Sequence, residues 1–243
     1  MTAQSQLISV KILRAFVKRG FQAPASRIRP RGLSRYRLDG NFAKRLFDVV
    51  FSLSVLMLFL PLYLLLALLI AISSPGPIFY VQERVGKDYK PFGCLKFRTM
   101  VENADELLIE LITQYPDMRQ EFEDNFKIKE DPRVTGIGKF LRYTSLDEFP
   151  QFWNVLKGDM SVVGPRPLVP EEVHKYGFHM DKVLTIKPGI TGLWQVSGRN
   201  DIPYQRRVQM DIYYVNFRNV WLDFWLIVKT IGVMISPKNN GAY

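Results

Sequence analysis

The chain has 243 residues, 47% hydrophobic and 23% charged, which allows a packed core and excludes global disorder. One cysteine, Cys94, excludes a disulfide scaffold, and two histidines, His174 and His179, exclude a histidine-rich zinc site. The net charge is +10, yet residues 1–45 hold eleven basic residues against one acid, Asp39, so the remainder is neutral.

The basicity therefore belongs to an arm, residues 1–40. It carries one amphipathic turn, Leu7 to Phe16, and a Pro/Arg/Gly-rich linker, Pro24 to Gly32. A nucleic-acid binder places its positive field on the folded domain. A basic arm feeding an apolar segment reads instead as a lipid-facing anchor, so no nucleic-acid partner is expected.

Val49 to Ile72 is a run of 24 residues without a charge. A straight helix of that length would reach about 36 Å, enough to cross a hydrocarbon core of roughly 30 Å. Two features oppose a simple span. Pro61 sits mid-run, where it removes a helix hydrogen bond. The flanks carry six basic residues before the run and five after it, so neither end prefers the far side. A kinked spanning helix and a re-entrant hairpin bent at Pro61 both fit, and the even flanks favour the hairpin.

Beyond the Ser74-Pro-Gly-Pro77 turn, Ile78–Gln82 and Pro91–Phe97 read as strands around a Gly86 turn. Glu102 to Asn125 reads as helix with a break near Pro116. Lys139–Arg142 and Phe149–Leu156 read as short helices, followed by a loop through Gly158 and Gly164-Pro-Arg-Pro167. Glu171–Tyr176 is expected to be helical and Lys187–Gly192 a turn. Tyr204–Phe217 and Val220–Ile235 close the chain as helices. The fold class is mostly α with a few short strands. Trp221 and Trp225, one helical turn apart, suit either an aromatic core face or the headgroup region of a membrane.

Arg142-Tyr-Thr-Ser-Leu-Asp147-Glu148 is the most suggestive constellation. Adjacent carboxylates repel, and Mg²⁺ or a basic side chain would keep both ionised. Ser145-x-x-Glu148 also fits a capping box, which requires no substrate. Arg166 between two prolines, Lys96-Phe-Arg98 and Gly198-Arg199-Asn200 place cations in short, turn-bounded segments of a neutral body. That pattern suits anion recognition. Gly136-Ile-Gly138 lacks the third glycine of a dinucleotide fingerprint, and no P-loop or His-Glu-x-x-His motif occurs.

Lys44-Arg-x-Phe-Asp48, Ser74-Pro-Gly-Pro77, Lys96-Phe-Arg-Thr-Met100, Asp131-Pro-Arg-Val-Thr135, Ser145-Leu-Asp-Glu148, Asn154-Val-Leu-Lys-Gly-Asp-Met-Ser161, Gly164-Pro-Arg-Pro167, Pro188-Gly-Ile-Thr-Gly192 and Ser197-Gly-Arg-Asn200 occur in order. From about residue 41 onward the chain resembles the bacterial sugar transferases, the monotopic phosphoglycosyl transferases. Larger members carry extra transmembrane helices, so this chain looks like the short form or the catalytic unit. The resemblance implies transfer of a sugar 1-phosphate from a UDP-sugar to undecaprenyl phosphate, releasing UMP. It implies Asp147 as the nucleophile of a covalent phosphosugar intermediate and Glu148 as a Mg²⁺ ligand. Arg142 and Arg199 match the phosphate- and nucleotide-binding set, and Lys96, Arg98, Arg166 and Asp223 are expected to bind substrate beside them. The implied architecture is a re-entrant membrane helix over 41–75, broken at Pro61, and a catalytic domain over 76–243. The expected location is the cytoplasmic face of the bacterial inner membrane, in contact with its lipid. Some members have Ser-Pro at the break, and this chain has Leu60-Pro61. Thr191 to Asp201 and the Gly241-Ala-Tyr243 ending look most like galactose-phosphate transferases; glucose and acetamido sugars share the other motifs. Homo-oligomerisation is left open, and a non-enzymatic scaffold is the competing class.

Overall fold

The computed structural model describes residues 38–125 and 128–235. The Leu7–Phe16 turn, the Pro24–Gly32 linker and the Gly241–Tyr243 ending lie outside the described residues. The chain divides into two units at Leu38, and the second, from Asp39 onward, is mostly helical with a few short strands.

Helix α1 (Leu38–Leu58) and helix α2 (Leu60–Ser73) carry the apolar run and meet at a bend of 63°. The break falls at Phe59, two residues before the expected Pro61, which sits in the first turn of α2. The reason is steric. Proline has no N–H for the carbonyl four residues back and its ring clashes with it, whereas a first helical turn tolerates both losses. Phe59 N still donates to Val55 O at 3.0 Å, and Tyr63 N to Phe59 O at 2.9 Å. Among the described residues no single helix is long and apolar enough to cross a membrane, but this bent pair is, by length and composition.

Strands β1 (Phe79–Val85) and β2 (Pro91–Phe97) form an antiparallel hairpin with Phe79 opposite Phe97 and Val85 opposite Pro91. Helices α3 (Ala104–Gln114) and α4 (Pro116–Asn125) break at Tyr115, beside the expected proline. Next come α5 (Gly136–Thr144) and α6 (Gln151–Lys157). The expected loop after α6 contains strand β3 (Ser161–Val163). After a 3₁₀ segment, Pro170–His179, and the short α7 (Met180–Val183), the expected turn at Lys187 contains β4 (Gly189–Thr191). β3 and β4 pair in parallel, Ser161 with Gly189 and Val163 with Thr191. Their backbones approach so closely that a Cβ on Gly189 would lie 2.0 Å from Gly164 N. Helices α8 (Tyr204–Phe217) and α9 (Val220–Ile235) complete the body.

The main core joins Cys94, Phe152, Val155, Val163, Tyr214 and Leu226, against which Phe51, Val55 and Leu56 of α1 pack. Polar ties fix α1 to this body. The buried Asp48 carboxylate accepts from Lys44 Nζ (2.9 Å), Ser161 Oγ (3.1 Å) and Val162 N (3.1 Å). Arg45 donates to the carbonyls of Val155 and Leu156 (2.7 Å to the latter) at the end of α6, where a cation also suits the helix dipole. A second apolar cluster, Leu66, Ile70, Phe97 and Leu141, joins α2 to β2 and α5. The remaining faces of α1 and α2 are apolar and exposed, with Met57 70% and Leu58 74% accessible, as is the Trp221 face of α9.

Candidate active site

Helix α5 begins under Thr135, whose Oγ1 accepts from Gly138 N at 3.0 Å. It ends at Ser145 in the left-handed conformation, φ 59°. The chain then makes one 3₁₀ turn, Leu146–Glu148, before α6. Ser145 Oγ makes no capping hydrogen bond to that turn. The capping-box alternative is therefore not realised, and the two carboxylates are free for another role.

Four basic residues, three of them from distant segments, converge on them. Lys96, from β2, donates to Glu148 Oε1 at 2.7 Å and stands 4.0 Å from Asp147 Oδ2. Arg166 Nη1, in the Gly-Pro-Arg-Pro loop, is 3.8 Å from Glu148 Oε1. Arg142, in the last turn of α5, anchors its Nε on Thr99 Oγ1 at 3.0 Å and is attracted to Asp147. Arg199, also held at positive φ, interacts with both carboxylates. The guanidinium groups of Arg166 and Arg207 lie 5.8 and 5.0 Å from the Trp194 ring, whose face helps to orient Arg166.

This environment separates the two acids. Burial, followed by the Glu148 charge, raises Asp147 above the ordinary carboxylate range, against the pull of Lys96 and Arg142. Burial works against the Glu148 charge as well, but Lys96 and Arg166 outweigh it and hold Glu148 below that range. Glu148 is thus kept ionised by its basic neighbours. Asp147 is the less tightly paired oxygen donor and the better nucleophile of the two.

One member of the group had no signal as a site residue. Arg84, 6% exposed, donates Nη1 to Pro167 O at 2.9 Å and lines a small cavity with Lys96, Glu148, Gln151 and Arg166. Gln82 and Arg84 share the face of β1 opposite Phe79 and Val81, so the alternation reads Arg84 as solvated, whereas in the structure it is Phe79 and Val81 that are exposed.

Two expected substrate-binding residues are not brought to the dyad. Asp223 is held by Tyr214 OH at 2.7 Å and Lys44 Nζ at 3.0 Å, in the cluster that ties α1 to α8 and α9. Arg98 is 7% exposed and donates to Ser74 O at 2.7 Å and Pro75 O at 2.6 Å, at the end of α2. The final carbonyls of α2 lack helical partners, and a guanidinium supplies several donors at once. Gly76, φ 108°, makes room for it, since a Cβ there would lie 2.3 Å from Arg98 Nη1. Arg98→Met is expected to cost about 2–3 kcal/mol in stability by stranding these carbonyls. Thermal denaturation would show the loss, while ligand binding at the dyad stays unchanged; a selective loss of ligand affinity would reverse this assignment.

Among the described residues no three acidic, histidine or cysteine side chains gather into a metal cage. Mg²⁺ does not require one. It is commonly held by one or two carboxylates, with waters and substrate phosphates completing the shell. The dyad's donor set fits that mode.

A family model described as bacterial sugar transferase matches residues 40–237. The undecaprenyl-phosphate galactose phosphotransferase of Salmonella typhimurium is 48% identical over 205 residues, 84% of this chain and 42% of that protein. The exopolysaccharide production protein ExoY of Rhizobium meliloti is 45% identical over 202 residues, 83% of this chain and 89% of its own length. The UDP-glucose:undecaprenyl-phosphate glucose-1-phosphate transferase of Klebsiella pneumoniae is 38% identical over 198 residues, 77% of this chain and 39% of that protein. The chain thus spans less than half the length of the two larger relatives and most of the length of the third. The match covers the dyad, its basic ring and both halves of the bent helix pair: the chain belongs to the bacterial sugar transferase family.

Proposed function

We propose that this chain is a phosphoglycosyl transferase that moves a sugar 1-phosphate from a UDP-sugar to undecaprenyl phosphate and releases UMP. The observation that carries the reading is Asp147, with its raised proton affinity, set beside the ion-paired Glu148 and ringed by Lys96, Arg142, Arg166 and Arg199. An Asp147 oxygen attacks the β-phosphorus of the UDP-sugar. The bond from that phosphorus to the bridging oxygen breaks, and UMP leaves with the electron pair. The lipid phosphate then attacks the same phosphorus and frees the Asp147 carboxylate. Splitting the transfer in two suits substrates that arrive from water and from a membrane. The basic ring offsets charge on the phosphoryl oxygens in each step. Glu148 would hold Mg²⁺, which supplies further neutralisation of the diphosphate.

The bent pair α1–α2 forms a re-entrant hairpin in this reading, with both ends on the cytoplasmic face of the bacterial inner membrane. Its exposed apolar surface, and that of α9 at Trp221, Phe224 and Trp225, support contact with lipid. Galactose is the favoured sugar: the galactose-named relatives match at 48% identity and the glucose-named at 38%. Glucose is the second reading.

Purified chain incubated with UDP-galactose, UDP-glucose and UDP-acetamido sugars in turn, without lipid acceptor, tests this. UDP-galactose is expected to release UMP and add one hexose phosphate to the intact mass. No adduct with any UDP-sugar would remove the reading.

A further inference from the structure

The turn that carries the dyad rests on α2 at both of its ends. On one side Leu146 packs with the Leu66, Ile70, Phe97 and Leu141 cluster, where α2 supplies two of the four core members. On the other side the Phe149 ring meets Phe59 at 5.8 Å and Tyr63 at 6.0 Å. Phe59 is the residue at which the helix pair bends, and Tyr63 lies one helical turn further on. The bend therefore delivers two aromatic rings to the residue next to Glu148.

One polar bond completes this contact. Tyr63 OH donates to Phe149 O at 2.6 Å. The same carbonyl also accepts from Phe152 N at 3.1 Å, so it belongs at once to α6 and to α2. The Tyr63 ring is fixed from a second direction by Phe97, at 5.6 Å, one residue beyond Lys96 in β2. Tyr63 thus touches the two segments, Lys96–Phe97 and Glu148–Phe149, whose side chains make the 2.7 Å ion pair of the site.

We propose that Tyr63 is a positioning residue, and that the second half of the bent helix pair is the platform that sets the Asp147–Glu148 turn against Lys96. The inference rests on the phosphosugar-transfer reading above and goes beyond anchoring, because it gives a residue of the apolar run a role in the geometry of the reacting carboxylate. Displacements of about 1 Å can cost roughly a hundredfold in rate when attack must be in line. Losing one short hydrogen bond while keeping the ring is a smaller perturbation.

Tyr63→Phe keeps every ring contact and removes only the hydroxyl. With full chain in lipid nanodiscs and UDP-galactose as the probe, the rate of phosphosugar adduct formation is followed by intact mass without acceptor. At saturating UDP-galactose, Tyr63→Phe is expected to form adduct about tenfold more slowly, with an unchanged half-saturating concentration. Leu65→Ala, on an exposed face of α2, is expected to match wild type and controls for loss of apolar surface. Should Tyr63→Phe fail to fold, Phe59→Leu takes its place, since it retains the hydroxyl bond but loosens the second ring on Phe149, and a slowed adduct rate is again expected. Adduct formation at the wild-type rate in the folded variant, or a change confined to half-saturation, overturns the positioning role. Absence of adduct in wild type with UDP-galactose, UDP-glucose and UDP-acetamido sugars alike would instead overturn the transfer reading beneath it.

Discussion

Replacing Asp147 by Asn is expected to abolish adduct formation and to lower turnover by at least about three orders of magnitude, because the attacking oxygen is gone. The fold should survive. Among the described residues the Asp147 carboxylate has one ion-pair contact, at 4.0 Å from Lys96, and the turn around it closes through backbone bonds such as Phe149 N to Leu146 O at 3.2 Å. Asn keeps the shape and relieves the burial of a charge next to Glu148, so thermal stability should hold or rise slightly. Binding of UDP-sugar, measured by calorimetry, should change little, since the arginine ring is intact. A purely structural dyad predicts the opposite pattern, with stability falling and turnover preserved. Turnover by Asp147→Asn near the wild-type rate would return these carboxylates to a structural role.

The residues of the dyad alone fitted a capping box at least as well as a catalytic pair, and the roles assigned to Asp147 and Glu148 rest on the family resemblance. The capping box is absent in the structure. Ser145 adopts φ 59° as the residue that closes α5, and its hydroxyl does not cap the next turn. Periodicity served well where the elements were long: Tyr204–Phe217 and Val220–Ile235 are the observed limits of α8 and α9. It failed for β3 and β4, because three residues cannot establish a period of two, and their pairing depends on glycines at a distant contact.

Arginine roles divided along the same line. Arg142, Arg166 and Arg199 meet the dyad, whereas Arg98, only two residues from Lys96, does not. Lys96 lies in β2, and Arg98 follows its last residue, Phe97. Arg98 N donates to Ile78 O at 2.9 Å, one step past the Phe79–Phe97 pair in the same register. Its side chain meets the end of α2 instead of the dyad. Sequence proximity named both residues, and their partners separate them: Glu148 for Lys96, the Ser74 and Pro75 carbonyls for Arg98. Arg84 shows the converse. Its partner Pro167 is 83 positions away, so no local pattern could announce that it braces the loop holding Arg166.

Lys96→Met is expected to be the second most damaging change, and its signature is a displaced pH profile. The Asp147 carboxylate must be ionised to attack, so the rate rises with pH as it loses its proton. Burial and Glu148 push that ionisation upward; Lys96, Arg142 and Arg166 pull it down, and Lys96 is the largest of the three. A cation at this distance typically shifts a carboxylate by about 1–3 pKa units. Removing it should move the acid limb of the rate profile to higher pH by about two units, which from a wild-type value of about 6 is about a tenfold loss at pH 7. Activity should recover partly as pH is raised, because Arg142 and Arg166 remain and deprotonation is delayed, not prevented. Glu148, whose low proton affinity also depends first on Lys96, would meanwhile lose its 2.7 Å partner and lean on Arg166 and Arg84. Adduct formation measured from pH 5 to pH 9 separates this from a simple loss of substrate contact. A profile lowered uniformly at every pH would show that Lys96 acts on the substrate phosphate and leaves Asp147 untouched.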